Sequence, residues 1–391
     1  MTKDNMPAQQ QMRAWEKNLL GIRFTQLHLL LPGLIAVSIL TWLSKWLCDF
    51  VGKELLGFET SLISPVMIAI LLGLLVNSII KSPKILGPGI RFSVKKLLKL
   101  GIIFLGIRLT IFDVFKLGTF GVPIVVLCVT GALLFTTWIN KKLKLPQRLG
   151  TLIAVGTSIC GVTAIVATSP AIDADEEESA YAIAVITVFG LFATLAYPYL
   201  ANYIFSGNAV KAGLFLGTAI HETAQVVGSA KIYADIFSQT LTLDVATIAK
   251  LVRNAFMALV IPYMAYYYAC QTPADDEFKG EKTSAWKLIP LFIFGFLAMA
   301  ALRSIGDAGL NVGASAFGMW DETLWVGIIA RIKSWAGILL VVALAGVGLG
   351  TDFRSIKALG IKPFIVGLGA SLSVGLVSYA AITILGGWVT F

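Results

Sequence analysis

Gly217-Thr-Ala-Ile-His-Glu-Thr-Ala-Gln-Val-Val-Gly228 decides the fold, together with Gly156-Thr-Ser-Ile-Cys-Gly-Val-Thr-Ala-Ile-Val-Ala167, with which it aligns. Both stretches are apolar enough to sit at membrane depth, yet each concentrates glycine and hydroxyl residues there. Glycine permits unwound backbone, and hydroxyls satisfy the amides and carbonyls that unwinding frees. Irregular backbone at that depth survives only where protein or a water-filled cavity surrounds it. One such stretch reads equally well as small residues that let helices pack closely. Two similar ones, each beside charged or polar side chains, read as broken helices whose half-helix N-termini point at a substrate near the midplane.

The rest of the chain sets these stretches in a bilayer. Of 391 residues, 57% are hydrophobic and 14% charged, where a soluble protein carries roughly 25% charged residues. The apolar excess has to face lipid. A span needs roughly 20 apolar residues, which predicts about eleven, near 27–47, 62–80, 97–115, 118–138, 149–168, 179–205, 209–229, 245–269, 286–302, 328–350 and 363–388. The fold class expected is an all-α polytopic membrane protein with inverted structural repeats. No polar linker interrupts the pattern, so residues 27–391 read as a single transmembrane domain. Residues 1–26 read as a cytoplasmic or interfacial segment rather than a signal peptide, with Trp15 among Arg13, Lys17 and Arg23.

The net charge of +9 reflects topology rather than nucleic-acid binding, because the cations cluster between apolar runs. Lys81–Lys99, Lys141–Arg148 and Arg354–Lys362 read as cytoplasmic loops, and eleven crossings then put the acidic run Asp173–Glu178 outside. Four scattered cysteines imply neither a disulfide framework nor a metal site. Leu105–Gly118 resembles Val347–Gly360, each ending a span in glycine and resuming with Leu-Gly. The helices after the two Gly-Thr stretches also match, through Phe192/Phe256, Leu195/Leu259, Pro198/Pro262 and Tyr199/Tyr263. Eleven crossings give that second pair the same direction, so one stretch is re-entrant or the likeness is partly chance.

Chemistry concentrates in and after the second stretch. His221 and Glu222 are candidates for proton coupling, against a structural pair that never titrates. Gln225 stands where an H-E-x-x-H metal motif needs its second histidine, so no zinc site is expected. Arg253 falls well inside the eighth span, with Lys250 three residues earlier on the same face. An intramembrane arginine needs a carboxylate, helix C-terminal carbonyls or an anionic substrate. Lys250 reads alternatively as a snorkelling side chain. No serine–lysine, paired-aspartate or zinc constellation is spaced for catalysis, so an enzyme is not expected and no cofactor is called for.

Gly156-Thr-Ser-Ile-Cys-Gly, the Asp173–Glu178 run leading into Ala180-Tyr-Ala-Ile, Ile220–Val227 and Asp244–Arg253 together resemble the bacterial YeiH-like family, labelled sulfate exporters. The resemblance runs from about the second span to the last. That family is similar to the superfamily of cation:proton antiporters and bile-acid symporters. The resemblance implies that Gly156–Thr163 and Gly217–Gln225 are broken segments crossing near the midplane, and that a panel domain can mediate homodimers. The family's usual segment has Asp after the histidine, where this chain has Glu222, a methylene longer.

The sequence therefore predicts a multi-pass protein of the bacterial inner membrane, a secondary transporter exporting sulfate or a related sulfur oxyanion by alternating access. Arg253 and Lys250 would attract the anion, and Thr157, Ser158, Thr163, Thr218, Thr223 and Gln225 would hydrogen-bond it. His221 and Glu222 would handle H⁺. A Na⁺/H⁺ exchanger centred on Glu222, a small organic anion carrier and a non-transporting sensor are the alternatives.

Overall fold

The computed structural model describes residues 24–50, 64–80, 83–271, 290–313, 315–351 and 361–386. Almost everything described is helical, and the β-type pairing among these residues is a single bridge between Ala316 and Trp320. Seven helical stretches are long and apolar enough to cross a membrane: Gln26–Asp49, Gly121–Leu143, Glu176–Ile204, Thr240–Cys270, Leu291–Val312, Glu322–Gly350 and Lys362–Leu385. Neither Gly-Thr stretch is among them. The expected interfacial helix around Trp15 and residues 354–360 of the Arg354–Lys362 loop lie outside the described residues, as does most of the second copy of the Leu105–Gly118 pattern.

The chain forms two compact units, one of residues 1–102 and 334–352, the other of 103–333 and 353–391. The first contains α1 (Leu31–Asp49), α2 (Pro65–Ile80), α3 (Gly87–Phe92) and the start of α4 (Leu98–Leu105). A π-helical turn, Ser93–Leu97, joins α3 to α4. Its packing is set by backbone approach: a Cβ on Gly89 would lie 2.6 Å from the Cα of Gly33, so any side chain there would drive α1 and α3 apart.

The second unit contains α5 (Ile111–Leu143), α6 (Gln147–Ser158), α7 (Val162–Thr168), α8 (Glu176–Ile204), α9 (Ala209–Ala219) and α10 (Thr223–Phe237). It continues through α11 (Thr240–Ala255), α12 (Met257–Gln271), α13 (Leu291–Gly313), the first part of α14 (Glu322–Gly350) and α15 (Ile361–Leu385). Local chemistry fixes the boundaries. Thr110 and Asp113 form a reciprocal capping box at the start of α5. The expected span 97–115 therefore ends at Arg108, and Leu117-Gly118 lies inside α5 instead of following a loop. Lys144 (φ 54°) ends α5 in the left-handed conformation, and Ser238 (φ 55°) ends α10 the same way, turning the chain straight into α11. Asn208 caps α9 by accepting from the Lys211 N–H at 3.0 Å.

The neighbours of each helix give its direction. Near one end of the unit Arg108, just before α5, pairs with Asp244 in the first turns of α11 at 2.5 Å. Further along, Cys128 of α5 reaches Thr218 of α9. Thr242 of α11 donates to the Ala209 carbonyl at 3.1 Å, Gly213 packs on Val245 and Gly217 on Ala249. So α5, α9 and α11 run in parallel. By contrast, α10 starts beside Asn254 at the end of α11 and finishes where α11 begins. The stretch 209–237 is a re-entrant hairpin: α9 enters, the chain turns at Ile220–Glu222, and α10 returns to the side it came from.

The stretch 147–172 does the same from the opposite end. Arg148, at the start of α6, pairs with Asp173, just past α7, at 3.3 Å. Gly156 faces Ile165 across the turn, and Asn140 near the end of α5 packs on Gly150. The arms α6 and α9 are 12 and 11 residues long, about 16–18 Å at 1.5 Å per residue. That is roughly half of a ~30 Å hydrocarbon core. Two of the eleven expected crossings are thus hairpins that reach the middle and turn back. The correction carries two others with it. Asp173–Glu178 lies on the same side as Lys141–Arg148, not across the membrane from it. The two hairpins, with the helices α8 and α12 that follow them and carry Pro198 and Pro262, run in opposite directions rather than the same one.

Candidate functional site

The tips of the hairpins meet. A Cβ added to Gly161, in the turn of the first, would lie 3.2 Å from the Cβ of Glu222, in the turn of the second. Gly161 has φ +72° and ψ −128°, a region closed to residues with side chains, and this lets the chain reverse between α6 and α7. In the second hairpin the reversal is made by extended backbone at Ile220 and Glu222, and the Gln225 carboxamide oxygen accepts from the Glu222 N–H at 3.2 Å as α10 starts.

Both incoming arms, α6 and α9, end at these turns with carbonyls that have no intrahelical partner. Two cations of α11 take them. Arg253 donates through Nε to Ser158 O (2.5 Å), through Nη1 to Thr218 O (2.6 Å) and Ile220 O (3.0 Å), and through Nη2 to Thr157 O. Lys250 donates through Nζ to Ile159 O (2.9 Å), Ile220 O (3.1 Å) and His221 O. Both side chains are 0% exposed. The guanidinium has five N–H donors and the ammonium three, so Lys250 has none left and Arg253 has one. Positive charge at the negative ends of two helix dipoles offsets much of the desolvation cost of each.

Of the partners left open for Arg253, helix C-terminal carbonyls are the ones it meets here, and Lys250 is buried beside it rather than extended to a surface. Gln225 spans from the turn to α8, its Nε2 donating to Thr187 O at 3.1 Å. Ser158 turns its hydroxyl back to Val155 O, so Thr157 and Ser158 reach the cations through their carbonyls. Thr218 bonds both Leu214 O and Ser378 Oγ of α15, each at 2.6 Å. His221 and Glu222 serve different elements: His221 Nε2 lies 3.1 Å from Ser371 Oγ, while Glu222 stands at the N-terminus of α10. Thr163 is exposed on the first turn of α7, and Thr223 accepts from Asn254 Nδ2 at 3.2 Å.

Two contributors escaped the sequence reading. Ser371 and Ser378 are seven residues apart, two turns of one helix face, and that spacing was a readable signal. Asn254, directly after Arg253, stood without an assigned role, and its partner Thr223 lies on another helix.

Residues 32–367 match the model of a family described as Conserved hypothetical protein 698. The chain belongs to that family. Among its relatives, a UPF0324 membrane protein of Streptococcus agalactiae serotype V is 31% identical over 358 residues, covering 92% of this chain and 98% of the relative. A UPF0324 membrane protein of Bacillus anthracis is 32% identical over 360 residues, 90% of this chain and 94% of its own. One of Corynebacterium glutamicum is 30% identical over 351 residues, 89% and 91%. No solved structure matches the chain. The relatives' names and the seven long apolar helices agree that members of this family are membrane proteins. The YeiH-like resemblance drawn from the motifs fits this membership.

Proposed function

We propose that this protein is a secondary transporter of the bacterial cytoplasmic membrane that moves a small oxyanion, sulfate being the first to test. One observation carries the reading. Two hairpins enter from opposite ends and meet at a pair of fully buried cations about halfway through. Such a meeting point is a costly thing to build in hydrocarbon, and it places irregular backbone where a substrate can be reached from each side in turn. The helix C-termini being occupied by Lys250 and Arg253, the outgoing arms present N-terminal, positive ends. The field of the two cations adds to that preference for an anion.

Glu222 favours a second reading. It is a carboxylate at the meeting point with part of its surface free, and it could carry Na⁺ or H⁺ in an exchanger, with the cations serving helix ends alone. Purified protein in tight proteoliposomes, loaded with radiolabelled sulfate and tested with and without a pH gradient, separates the two. Saturable sulfate flux that survives Glu222→Gln supports the anion carrier. Absence of sulfate flux, alongside Na⁺/H⁺ exchange that Glu222→Gln abolishes, overturns it.

A further inference from the structure

We propose that Arg108, Arg303 and Lys333 form a receiving site for the transported oxyanion, at the end of the second unit where α11 begins. The assignment rests on the anion-carrier reading and gives it an entrance, since Lys250 and Arg253 are committed to carbonyls.

Three cations and two carboxylates gather there. Arg108 pairs with Asp244 at 2.5 Å, and Arg303 of α13 pairs with Asp307 one turn on, also at 2.5 Å. Packing fixes the neighbourhood. The Ile111 N–H donates to Ser304 Oγ at 2.8 Å and ties the start of α5 to α13, while Trp325 Nε1 of α14 donates to Asp307 at 2.9 Å. Ile107 shares one apolar cluster with Trp325, Ile329 and Ile332. Lys333 follows Ile332 directly and lies within electrostatic reach of all four paired groups. It forms no ion pair of its own among the described residues.

Arg303 and Lys333 both belong to helices long and apolar enough to span, and each stands about 16–18 Å along its helix at 1.5 Å per residue. Cations at such depth are retained where they meet opposite charge or line a water path. Two carboxylates against three cations leave the cluster one positive charge in excess, which an anion would balance. Donors are available as well as charge. Each arginine holds its carboxylate through Nε alone. Arg108 Nη2 reaches only the Thr240 carbonyl, at 3.5 Å, and the terminal nitrogens of Arg303 have no hydrogen-bond partner among the described residues. The side chains of both pairs keep between 8% and 28% of their surface uncovered, and Lys333 is exposed. The terminal N–H groups of a guanidinium match two oxygens of one ligand, so the site takes a small oxyanion in preference to a halide. Asp244 precedes Lys250 by six residues on α11, about 9 Å along the axis. An anion held at Arg108 therefore already stands in the field of the buried cations at the hairpin tips.

Side-specific kinetics test the assignment. Sulfate exchange in right-side-out and inside-out membrane vesicles, with vesicles lacking the protein as the blank, gives KM separately for the face where α11 begins and for the opposite one. Lys333→Gln is expected to raise KM about tenfold at the first face and not at the second, the loss of one charged contact to the ligand. Lys333→Arg, which keeps the charge, should keep the low KM. Asp244→Asn releases Arg108 from its carboxylate and should lower KM at the same face, where a merely structural ion pair would give impaired exchange at both. A KM that Lys333→Gln leaves unchanged at that face, or raises equally at both, overturns this assignment and leaves the carrier reading standing. Wild-type vesicles that exchange neither sulfate nor phosphate overturn both.

Discussion

Arg148 and Asp173 form an ion pair at 3.3 Å across the mouth of the first hairpin, joining the residue that follows the α5–α6 turn to the one that precedes α8. Both side chains keep more than a third of their surface exposed, so the pair contributes little to stability. Its value is topological. It ties the cationic loop 141–148 and the acidic run 173–178 to one side of the membrane. Lys and Arg determine sidedness and acidic residues contribute little, which predicts that side to be the cytoplasmic one.

Single cysteines therefore have a defined pattern of labelling. In a background with Cys48, Cys128, Cys160 and Cys270 replaced, Lys144→Cys and Glu176→Cys, both at exposed positions, should react with a membrane-impermeant maleimide only in inside-out vesicles. Gln239→Cys, exposed in the turn between α10 and α11, should react in whole cells. Labelling of positions 144 and 176 from opposite sides would mean that 147–172 crosses the membrane.

Arg253→Lys should behave almost as badly as Arg253→Met. The planar fork reaches carbonyls in both hairpins at once, Thr157 and Ser158 in one, Thr218 and Ile220 in the other. An ammonium cannot span that set. A loss of about 3–5 kcal/mol is expected for Arg253→Met, by analogy with breaking a buried ion pair. Thermal unfolding in detergent measures it, and a melting temperature unchanged in Arg253→Lys would contradict the clamp.

Gly161→Ala should cost about 1–3 kcal/mol through backbone strain alone, because φ is +72° there. The added methyl also meets Glu222 at 3.2 Å. Gly118→Ala, whose new methyl would find nothing nearer than 3.9 Å, is the control and should be near neutral. Equal melting temperatures for the two variants would show that the turn is not built as described.

A disulfide between Thr218→Cys and Ser378→Cys, in the same cysteine-free background, should pin the second hairpin to α15. The two hydroxyl oxygens are 2.6 Å apart, within reach of a disulfide with little backbone movement. Flux in proteoliposomes should stop on oxidation and return with a reducing agent. Unimpaired flux with the bond shown to be formed would mean that this hairpin does not move against α15 during transport.

Much of this site was legible in the chain because its signals are local. Glycines and hydroxyls gathered within two apolar stretches mark breaks in helices, and a lone arginine inside an apolar run announces a partner. Re-entrance was not legible. A run of apolar residues has the same composition whether it crosses a bilayer or enters and returns. What distinguishes the cases is non-local: Arg148 against Asp173, Thr242 against Ala209, Asn254 against Thr223. The same limit explains Asn254, which is ordinary in its own helix and acquires meaning only from α10. The role of Arg253 stayed open for a related reason, since a side chain suited to binding an oxyanion is equally suited to the oxygen of a peptide carbonyl.

That shared guanidinium has a further consequence for leakage. Opening either hairpin alone removes some of its bonds and leaves the rest in place. Opening both together would leave a bare cation in the middle of a low-dielectric slab, the least favourable arrangement available to it. In a carrier of the proposed kind, one arginine anchoring both turns would thus work as an interlock, making a continuous water path through the protein far more costly than access from either face alone.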